Sequence, residues 1–311
     1  MNAWNHGEAI SFLMNFAFDS LKIKSLKIEK KIRGKKRFVE ERPYVHVLLT
    51  APKGQLKSTV LRELSSFHGT PVFTDVSFAA LVGSIDKDTK QVIPAGAWHC
   101  RNNFLILDEW NFRTDGHDDT LKALLQLTES GEFSRRLARY AAAFESDKNE
   151  LPLYFMAKDG AIRVKTRFSL VLASMYDLTR RTQKDTEALI SRMIPYHYEM
   201  SREELNAYAA GKEILHLAQK ENVPLEVKIK HSRYKKILSY CAGAKDENFL
   251  RTVGDVARCF AIYGWKPALF DFIIERKNIA ENNIQRAREQ NAERYAGLVQ
   301  NQRIQQKPEE V

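Results

Sequence analysis

The sequence predicts an α/β fold in which a parallel sheet lies between helices. Short apolar runs at residues 44–49, 104–107 and 168–173 have the length and composition of strands that are buried on both faces. Helical patterns alternate with these runs, at residues 57–67, 117–130 and 186–192. Alternating strands and helices favour a parallel sheet, because each helix returns the chain to the edge where the next strand begins.

The N-terminal residues predict a helix followed by a basic hairpin. Apolar residues at 10, 12, 13, 16 and 17 lie on one face of a helix. Residues 22–31 alternate apolar with polar, mostly basic side chains, and the Gly34-Lys35-Lys36 segment predicts a turn into a second strand. Two interpretations of this hairpin stay open. It is either a solvated basic surface or a ribbon that faces nucleic acid.

A candidate phosphate-binding loop follows the first apolar run. It comprises Thr50 and the expected nucleotide-binding residues Ala51, Pro52, Lys53, Gly54, Gln55, Leu56, Lys57, Ser58 and Thr59. Lys57 and Ser58 match the pattern GxxxxGK[ST], whereas Ala51 and Leu56 replace its glycines. A loop that enters a helix directs backbone N–H groups at an anion, the lysine adds charge, and the hydroxyl can ligate Mg²⁺. An ordinary surface turn before a helix would show a similar pattern.

Two carboxylates end the second apolar run. Asp108 is expected to hold Mg²⁺, and Glu109 is expected to polarise an attacking water molecule. The alternative is an ordinary strand that ends in an acidic turn. With a candidate phosphate loop upstream in the same chain, a nucleotide site that uses ATP and Mg²⁺ is the favoured interpretation.

These motifs and their order resemble the AAA+ ATPases, and within them the motor domain of the minichromosome-maintenance (MCM) helicases. The resemblance runs roughly from residue 44 to residue 264. The P-loop of that group also lacks a glycine before its lysine. Residues 79–97 resemble the helix-2 insert of the group, and they predict a hairpin with residues 86–90 at its turn.

A second hairpin is predicted at residues 154–165, because Asp159-Gly160 lies between two arms rich in strand-forming residues. By the resemblance it is the pre-sensor-1 hairpin, which grips DNA in a central channel. Lys158 at its tip and Arg163 and Lys165 on one arm are then the expected DNA contacts. A plain surface hairpin is the alternative. A helix with a basic end is predicted just before it, at residues 121–139.

The resemblance also implies residues that sense or complete the nucleotide site. Ser174 is expected to act as sensor 1, because Met175 stands where the family has asparagine. Arg192 corresponds to the arginine finger, which enters the site of the neighbouring subunit. Arg251 and Arg258, seven positions apart on one helical face, correspond to sensor 2. Each of these arginines has a solvated surface charge as its alternative.

Composition limits the functional classes. The chain has 311 residues, of which 44% are hydrophobic and 28% charged, as in globular proteins. It has no apolar run of about 18 residues and no signal-peptide pattern, so a cytoplasmic, non-secreted protein is expected, in a prokaryotic cell or in the host of a virus or mobile element. Three dispersed cysteines argue against a disulfide framework or a zinc site. The net charge of +10 suits a polyanionic partner.

The expected domains are residues 1–43 (helix and hairpin), 44–200 (AAA+ core), 201–277 (α-helical lid) and 278–311 (polar helical tail, partly disordered). Within the lid, helices are predicted at residues 201–219, 231–243 and 249–263. The resemblance implies an ATP-driven DNA motor that assembles as a homohexameric ring. It would bind single-stranded or duplex DNA without sequence preference, and it could depend on a loader or other replication proteins. The alternatives are a protein remodeller of the MoxR or chelatase type, and a DNA-binding assembly subunit that binds ATP without hydrolysing it.

Overall fold

The structure is a computed structural model. It describes residues 4–74, 76–85, 92–93, 100–108, 118–136, 154–156, 161–174, 188–233, 250–264 and 266–305. The helices are α1 (His6–Ser20), α2 (Lys57–His68), α3 (Phe78–Val82), α4 (Asp118–Ser130), α5 (Arg202–Ala209), α6 (Leu250–Tyr263) and α7 (Pro267–Gln305). The strands are β1 (Ser25–Ile32), β2 (Lys35–Glu41), β3 (His46–Thr50), β4 (Val72–Phe73), β5 (Ser84–Ile85), β6 (Val92–Ile93), β7 (Phe104–Asp108), β8 (Glu132–Arg136), β9 (Tyr154–Met156), β10 (Ala161–Lys165), β11 (Ser169–Ser174), β12 (Met193–His197) and β13 (Glu226–Ile229).

Among the described residues, a five-stranded sheet forms the centre of the fold, in the order β12-β3-β11-β7-β4. Each pair of neighbouring strands in it is parallel. The three predicted apolar strands become β3, β7 and β11, and two of the predicted helices become α2 and α4. The predicted α/β fold, with a parallel sheet between helices, is therefore confirmed.

Alternate side chains of the sheet enter two clusters, one on each face. Val47 and Leu49 of β3 pack in a cluster with α1, α2, α6 and α7. Leu48 of the same strand packs in the other cluster, with α3 and α4. A strand that is covered on both faces needs apolar side chains at successive positions. This is why these strands appear in the sequence as continuous apolar runs.

The predicted N-terminal helix and hairpin are both present. A capping box starts α1: the Asn5 side chain accepts a hydrogen bond from the Glu8 N–H at 2.7 Å, and the Glu8 carboxylate accepts one from the Asn5 N–H at 3.4 Å. β1 and β2 form an antiparallel ribbon closed by Arg33 and Gly34, which have φ angles of +48° and +80°. Positive φ at both positions matches the right-handed twist of a tight hairpin. β13 adds to β1 in parallel, with each residue paired to one 201 positions later in the chain, as in Ser25 with Glu226.

The inserted hairpins are also present. β5 pairs antiparallel with β6, which agrees with the hairpin predicted within residues 79–97. β9 pairs antiparallel with β10, which agrees with the hairpin predicted at residues 154–165. The turns of both hairpins, residues 86–91 and 157–160, lie outside the described residues.

Residues 121–139 do not form the single helix predicted for them. α4 ends at Ser130, and the following residues form β8, which pairs antiparallel with β10. Gly131 has a φ of +71°, a left-handed conformation that ends a helix and that glycine adopts without steric cost. Arg135 and Arg136 therefore lie on a strand of the β8-β10-β9 sheet, while Arg139 lies outside the described residues.

The helix predicted at residues 201–219 is also shorter than expected. α5 ends in a Schellman motif, in which the Gly211 N–H donates to the Tyr208 carbonyl at 2.8 Å and the Lys212 N–H donates to the Ala207 carbonyl at 3.1 Å. β13 then interrupts the predicted α-helical part. Of the helix predicted at residues 231–243 only residues 231–233 are described, whereas α6 agrees with the helix predicted at 249–263.

The Thr166 carbonyl lies close to Gly131, and this contact leads to a prediction about stability. A Cβ at this position would lie 2.8 Å from the Thr166 carbonyl oxygen, so Gly131→Ala adds a clash to the strain of a positive φ. Gly211 has a φ of +85° with open space around it, which makes Gly211→Ala the matched control. We expect Gly211→Ala to lower the free energy of unfolding by about 1 kcal/mol, and Gly131→Ala by at least about 2 kcal/mol. Urea unfolding measures both, and equal losses would show that the approach to Thr166 costs nothing.

α7 covers one edge of the central sheet. The helix has 39 residues, which corresponds to roughly 58 Å at about 1.5 Å per residue. It packs along β12, and its Phe270 and Ile273 join one cluster while its Ile284 joins the other. A covered edge strand cannot pair with a second sheet.

Across the described residues, no helix combines the length and apolar character needed to cross a membrane.

Candidate functional site

The β3–α2 loop (residues 51–56) is a tight turn with two residues in the left-handed conformation. Gly54 has a φ of +84°, and Leu56, the residue before α2, has a φ of +58°. The left-handed conformation of Leu56 explains why a glycine is common at this position, since only glycine adopts it without cost. Leu56 meets a cost of about 1 kcal/mol and packs its side chain against the core. The sequence departs from the glycine pattern here, but the backbone keeps the conformation.

The N-terminus of α2 points its first N–H groups toward this loop. No side chain caps the helix, so its positive end is available to an anion. Lys57, in the first turn, is 6% exposed, and its Nζ donates to the carbonyl oxygens of Ala51 and Pro52, both at 2.9 Å. The lysine side chain therefore folds back over the loop, and two carbonyls of the loop hold its ammonium group.

The register of the parallel sheet brings three polar residues to the same edge. Ser174 of β11 lies opposite Thr50 of β3, and Asp108 of β7 lies opposite Ala173. We call the side of the sheet where the parallel strands end the carboxyl edge, and the side where they begin the amino edge. Neighbouring strands are about 4.8 Å apart, so these three residues and the β3–α2 loop share one short stretch of the carboxyl edge. In parallel α/β sheets, ligands bind at this edge.

Asp108 is a buried acidic residue at this edge. It is 8% exposed, and its Oδ1 makes no hydrogen bond to any of the described residues. Burying a carboxylate oxygen without a partner is costly, which points to an absent cation or donor. Tyr198 lies near it: burial raises the pKa of the Tyr198 phenol, and the negative charge of Asp108 raises it further. The Tyr198 hydroxyl likewise makes no hydrogen bond within the described part of the chain.

The end of β12 supports the loop with residues that the sequence did not identify. His197 Nδ1 lies 3.2 Å from Thr50 Oγ1, and the Met200 N–H donates to the Gln55 side chain at 2.6 Å. Burial lowers the pKa of the His197 imidazole, which favours its neutral form. The missing signal was β12 itself: its residues, Met-Ile-Pro-Tyr-His, do not form a continuous apolar run.

Two other predicted site residues lie away from the loop. Arg192 precedes β12 at the amino edge of the sheet, and its Nε donates to Glu129 Oε2 at 2.7 Å. Arg258 is buried and ion-paired with Asp255, and its NH1 lies 3.7 Å from Glu41 Oε2. Arg42 joins this group at the amino edge, with its NH2 3.7 Å from Asp255 Oδ2 and 3.4 Å from the Arg192 carbonyl.

The structure thus brings Lys57, Asp108 and Ser174 together and leaves Arg192 and Arg258 at the opposite edge. A strand of five residues separates the two edges by roughly 13 Å. Glu109, Lys158 and Met175 lie outside the described residues, as do the side chains of Arg163, Lys165 and Arg251.

The residues at the carboxyl edge fit a magnesium ion that is shared with phosphates. Mg²⁺ commonly binds one or two carboxylates together with substrate phosphates and water. The unpartnered oxygen of Asp108 and the hydroxyl of Ser58, in the first turn of α2, supply suitable oxygens. The described residues contain no cluster of three or more His, Cys, Asp or Glu side chains able to hold a metal without such phosphates.

Comparisons with known proteins add no family. The sequence matches none of the protein-family models, and no curated protein matches it significantly. Support for a function therefore comes from the residues and their geometry.

Proposed function

We propose that the chain is an ATP-driven DNA motor of the AAA+ type, similar to the MCM helicases. It hydrolyses ATP at the interfaces of a ring of identical subunits, six by the resemblance. The observation that carries the proposal is the meeting of the β3–α2 loop with the unpartnered buried oxygen of Asp108 at the carboxyl edge. An anion cradle beside a buried carboxylate is what a magnesium–nucleotide complex requires.

Each residue of the site has a distinct role in this proposal. Lys57 neutralises charge on the outer phosphates, and Ser58 and Asp108 hold Mg²⁺. Ser174, beside Thr50, contacts the terminal phosphate or the water near it. Glu109 polarises the attacking water.

The position of Arg192 supports a shared site. An arginine at the amino edge cannot reach the β3–α2 loop of its own chain, since the strands of the sheet lie between them. It can complete the site of a neighbouring subunit, where a positive charge stabilises the transition state of phosphoryl transfer. Arg258, buried in its ion pairs at the same edge, acts in this proposal by holding that edge in place.

DNA binding is assigned to the β9–β10 hairpin, with Lys158, Arg163 and Lys165 as its contacts. The net charge of +10 supports a polyanionic partner. Contacts to phosphates make such binding sensitive to salt and indifferent to sequence.

The test is ATP hydrolysis by the purified protein, alone and with single-stranded or duplex DNA. Hydrolysis that DNA stimulates supports the motor. Hydrolysis without any effect of DNA would favour a protein remodeller, and ATP binding without hydrolysis would favour an assembly subunit. A protein that does not bind ATP would contradict the whole proposal.

Asp108→Asn separates binding from folding. A neutral amide costs less to bury than an unpartnered carboxylate, so we expect the free protein to become more stable, by about 1 kcal/mol. The rise in melting temperature caused by ATP with Mg²⁺ is expected to disappear, because the metal loses its carboxylate. Thermal unfolding with and without Mg²⁺–ATP measures both effects. A variant that is less stable and still responds to Mg²⁺–ATP would remove Asp108 from the site.

A further inference from the structure

The outer half of the β1–β2 ribbon carries a dense positive charge. Six of the eight residues from 30 to 37 are lysine or arginine, and none is acidic. β13 pairs only with residues 25–28 of β1, so the ribbon projects beyond its neighbour from residue 29 to residue 38. Residues 31–38 are all exposed. We call residues 30–38 the basic ribbon tip.

Acidic residues at the base of the ribbon pair with only two of these cations. Lys30 is ion-paired with Glu41, and Lys36 Nζ lies 3.9 Å from Glu29 Oε2. The remaining four make no ion pair or hydrogen bond to described residues through their side chains; they are Lys31, Arg33, Lys35 and Arg37. Four unpaired cations on a tight hairpin repel one another, and a row of phosphates would relieve that repulsion.

Two large apolar side chains accompany the cations. Phe38 is 50% exposed and Ile32 is 43% exposed. Lysines alone would be explained as protection of an edge strand against pairing. Such protection does not account for an exposed phenylalanine, whose ring offers a surface on which an unpaired base can stack.

We propose that the basic ribbon tip is a binding element for single-stranded DNA. The unpaired cations contact phosphates, and Phe38 stacks on a base. The tip lies outside the nucleotide site and outside the β9–β10 hairpin, so this binding goes beyond the proposed motor and does not depend on ATP. Phosphate contacts make it independent of sequence, while the stacked ring favours a single strand over a duplex.

The experiment compares three full-length variants without nucleotide, using fluorescence anisotropy of a labelled oligo-dT and of a mixed-sequence duplex. The ribbon variant replaces Lys31, Arg33, Lys35 and Arg37 with glutamine. The matched control replaces four exposed cations elsewhere with glutamine and so changes the net charge by the same amount; they are Arg202, Lys212, Lys230 and Arg286. The third variant is Phe38→Ala. All substituted side chains are exposed or half-exposed, and thermal unfolding checks that each variant stays folded.

We expect the ribbon variant to bind oligo-dT at least roughly tenfold more weakly at physiological salt. Its log–log salt slope should fall by up to about 3, since each lost phosphate contact removes about 0.7. The control should change affinity less than about twofold. Phe38→Ala should weaken oligo-dT binding by roughly five- to hundredfold and leave duplex binding nearly unchanged.

Several outcomes overturn the proposal. Equal affinities for the ribbon and control variants would assign DNA binding to net charge, and a wild-type protein that does not bind oligo-dT would exclude the element. Ribbon-dependent binding to vesicles of equal phosphatidylcholine and phosphatidylserine, without binding to DNA, would replace it with a membrane contact. Basal ATP hydrolysis is measured in parallel. If hydrolysis is absent but ribbon-dependent binding remains, the proposed motor fails and the ribbon proposal stands.

Discussion

Lys57→Met should lower the rate of ATP hydrolysis by at least about a hundredfold, the cost of removing one charged donor from a transition state. The ammonium of Lys57 is held over the β3–α2 loop by the Ala51 and Pro52 carbonyls, where it meets the outer phosphates. Methionine keeps most of the unbranched side chain and removes its charge. Steady-state phosphate release measures the loss, with Lys122→Met, an exposed lysine of α4, as the control.

The folding of this variant must be checked, because methionine cannot donate to the two carbonyls. We expect a loss of about 2 to 3 kcal/mol in the free energy of unfolding, less than the total stability of a typical domain, so most of the protein stays folded. Stabilisation by ATP should also be lost or strongly reduced. A folded Lys57→Met protein that hydrolyses ATP at the wild-type rate would contradict the assignment of the loop.

Arg192→Ala should have an effect of similar or larger size, since arginine fingers contribute about a thousandfold or more to hydrolysis. Within one chain Arg192 pairs with Glu129 at the amino edge, so its proposed role depends on a neighbouring subunit. The expected result is near-complete loss of hydrolysis with ATP binding intact. Glu129→Gln is the matched control: it breaks the same ion pair and should keep most of the activity.

Mixing two inactive variants tests the shared site directly. Lys57→Met subunits supply an intact Arg192, and Arg192→Ala subunits supply an intact loop. Mixed assemblies therefore contain some complete interfaces and should recover part of the wild-type hydrolysis. If mixing restores nothing, or if Glu129→Gln is as damaging as Arg192→Ala, then Arg192 acts within its own chain as a structural residue.

The sequence predicts the fold best where burial alone determines the pattern. β3, β7 and β11 lie in the middle of the sheet, and both their faces need apolar side chains, so each is a continuous apolar run. β12 is an edge strand that contains Pro195 and His197, and β4 has only two residues, so neither gives such a signal. β8 was predicted as helix because the stop at Gly131 depends on a backbone angle that the surrounding pattern does not indicate.

The residues of the candidate site also fall into those that the sequence predicts and those that it does not. The positions of Lys57 and Asp108 could be predicted because both are tied to strands that the sequence identifies: Lys57 begins the helix after the β3–α2 loop, and Asp108 ends β7. Tyr198 and His197 could not, because they reach the site only through the pairing of β12 with β3. Arg258 and Asp255 pair across one turn of α6, whereas the contact of Arg258 with Glu41 depends on the packing of α6 beside the β1–β2 ribbon, which no local pattern indicates.

The pairing of β1 with β13 has a consequence for how the chain folds as it is synthesised. α1 and β1 are synthesised long before three of the elements that they pack against, β13, α6 and α7. Apolar side chains of α1 such as Phe16, which contacts Tyr263 of α6, therefore stay partly uncovered until α6 has been synthesised. Contacts between residues this far apart in sequence slow folding, and apolar surface stays exposed to solvent for longer. Fragments that end before residue 250 are expected to aggregate, and expression of residues 1–311 is expected to need chaperones.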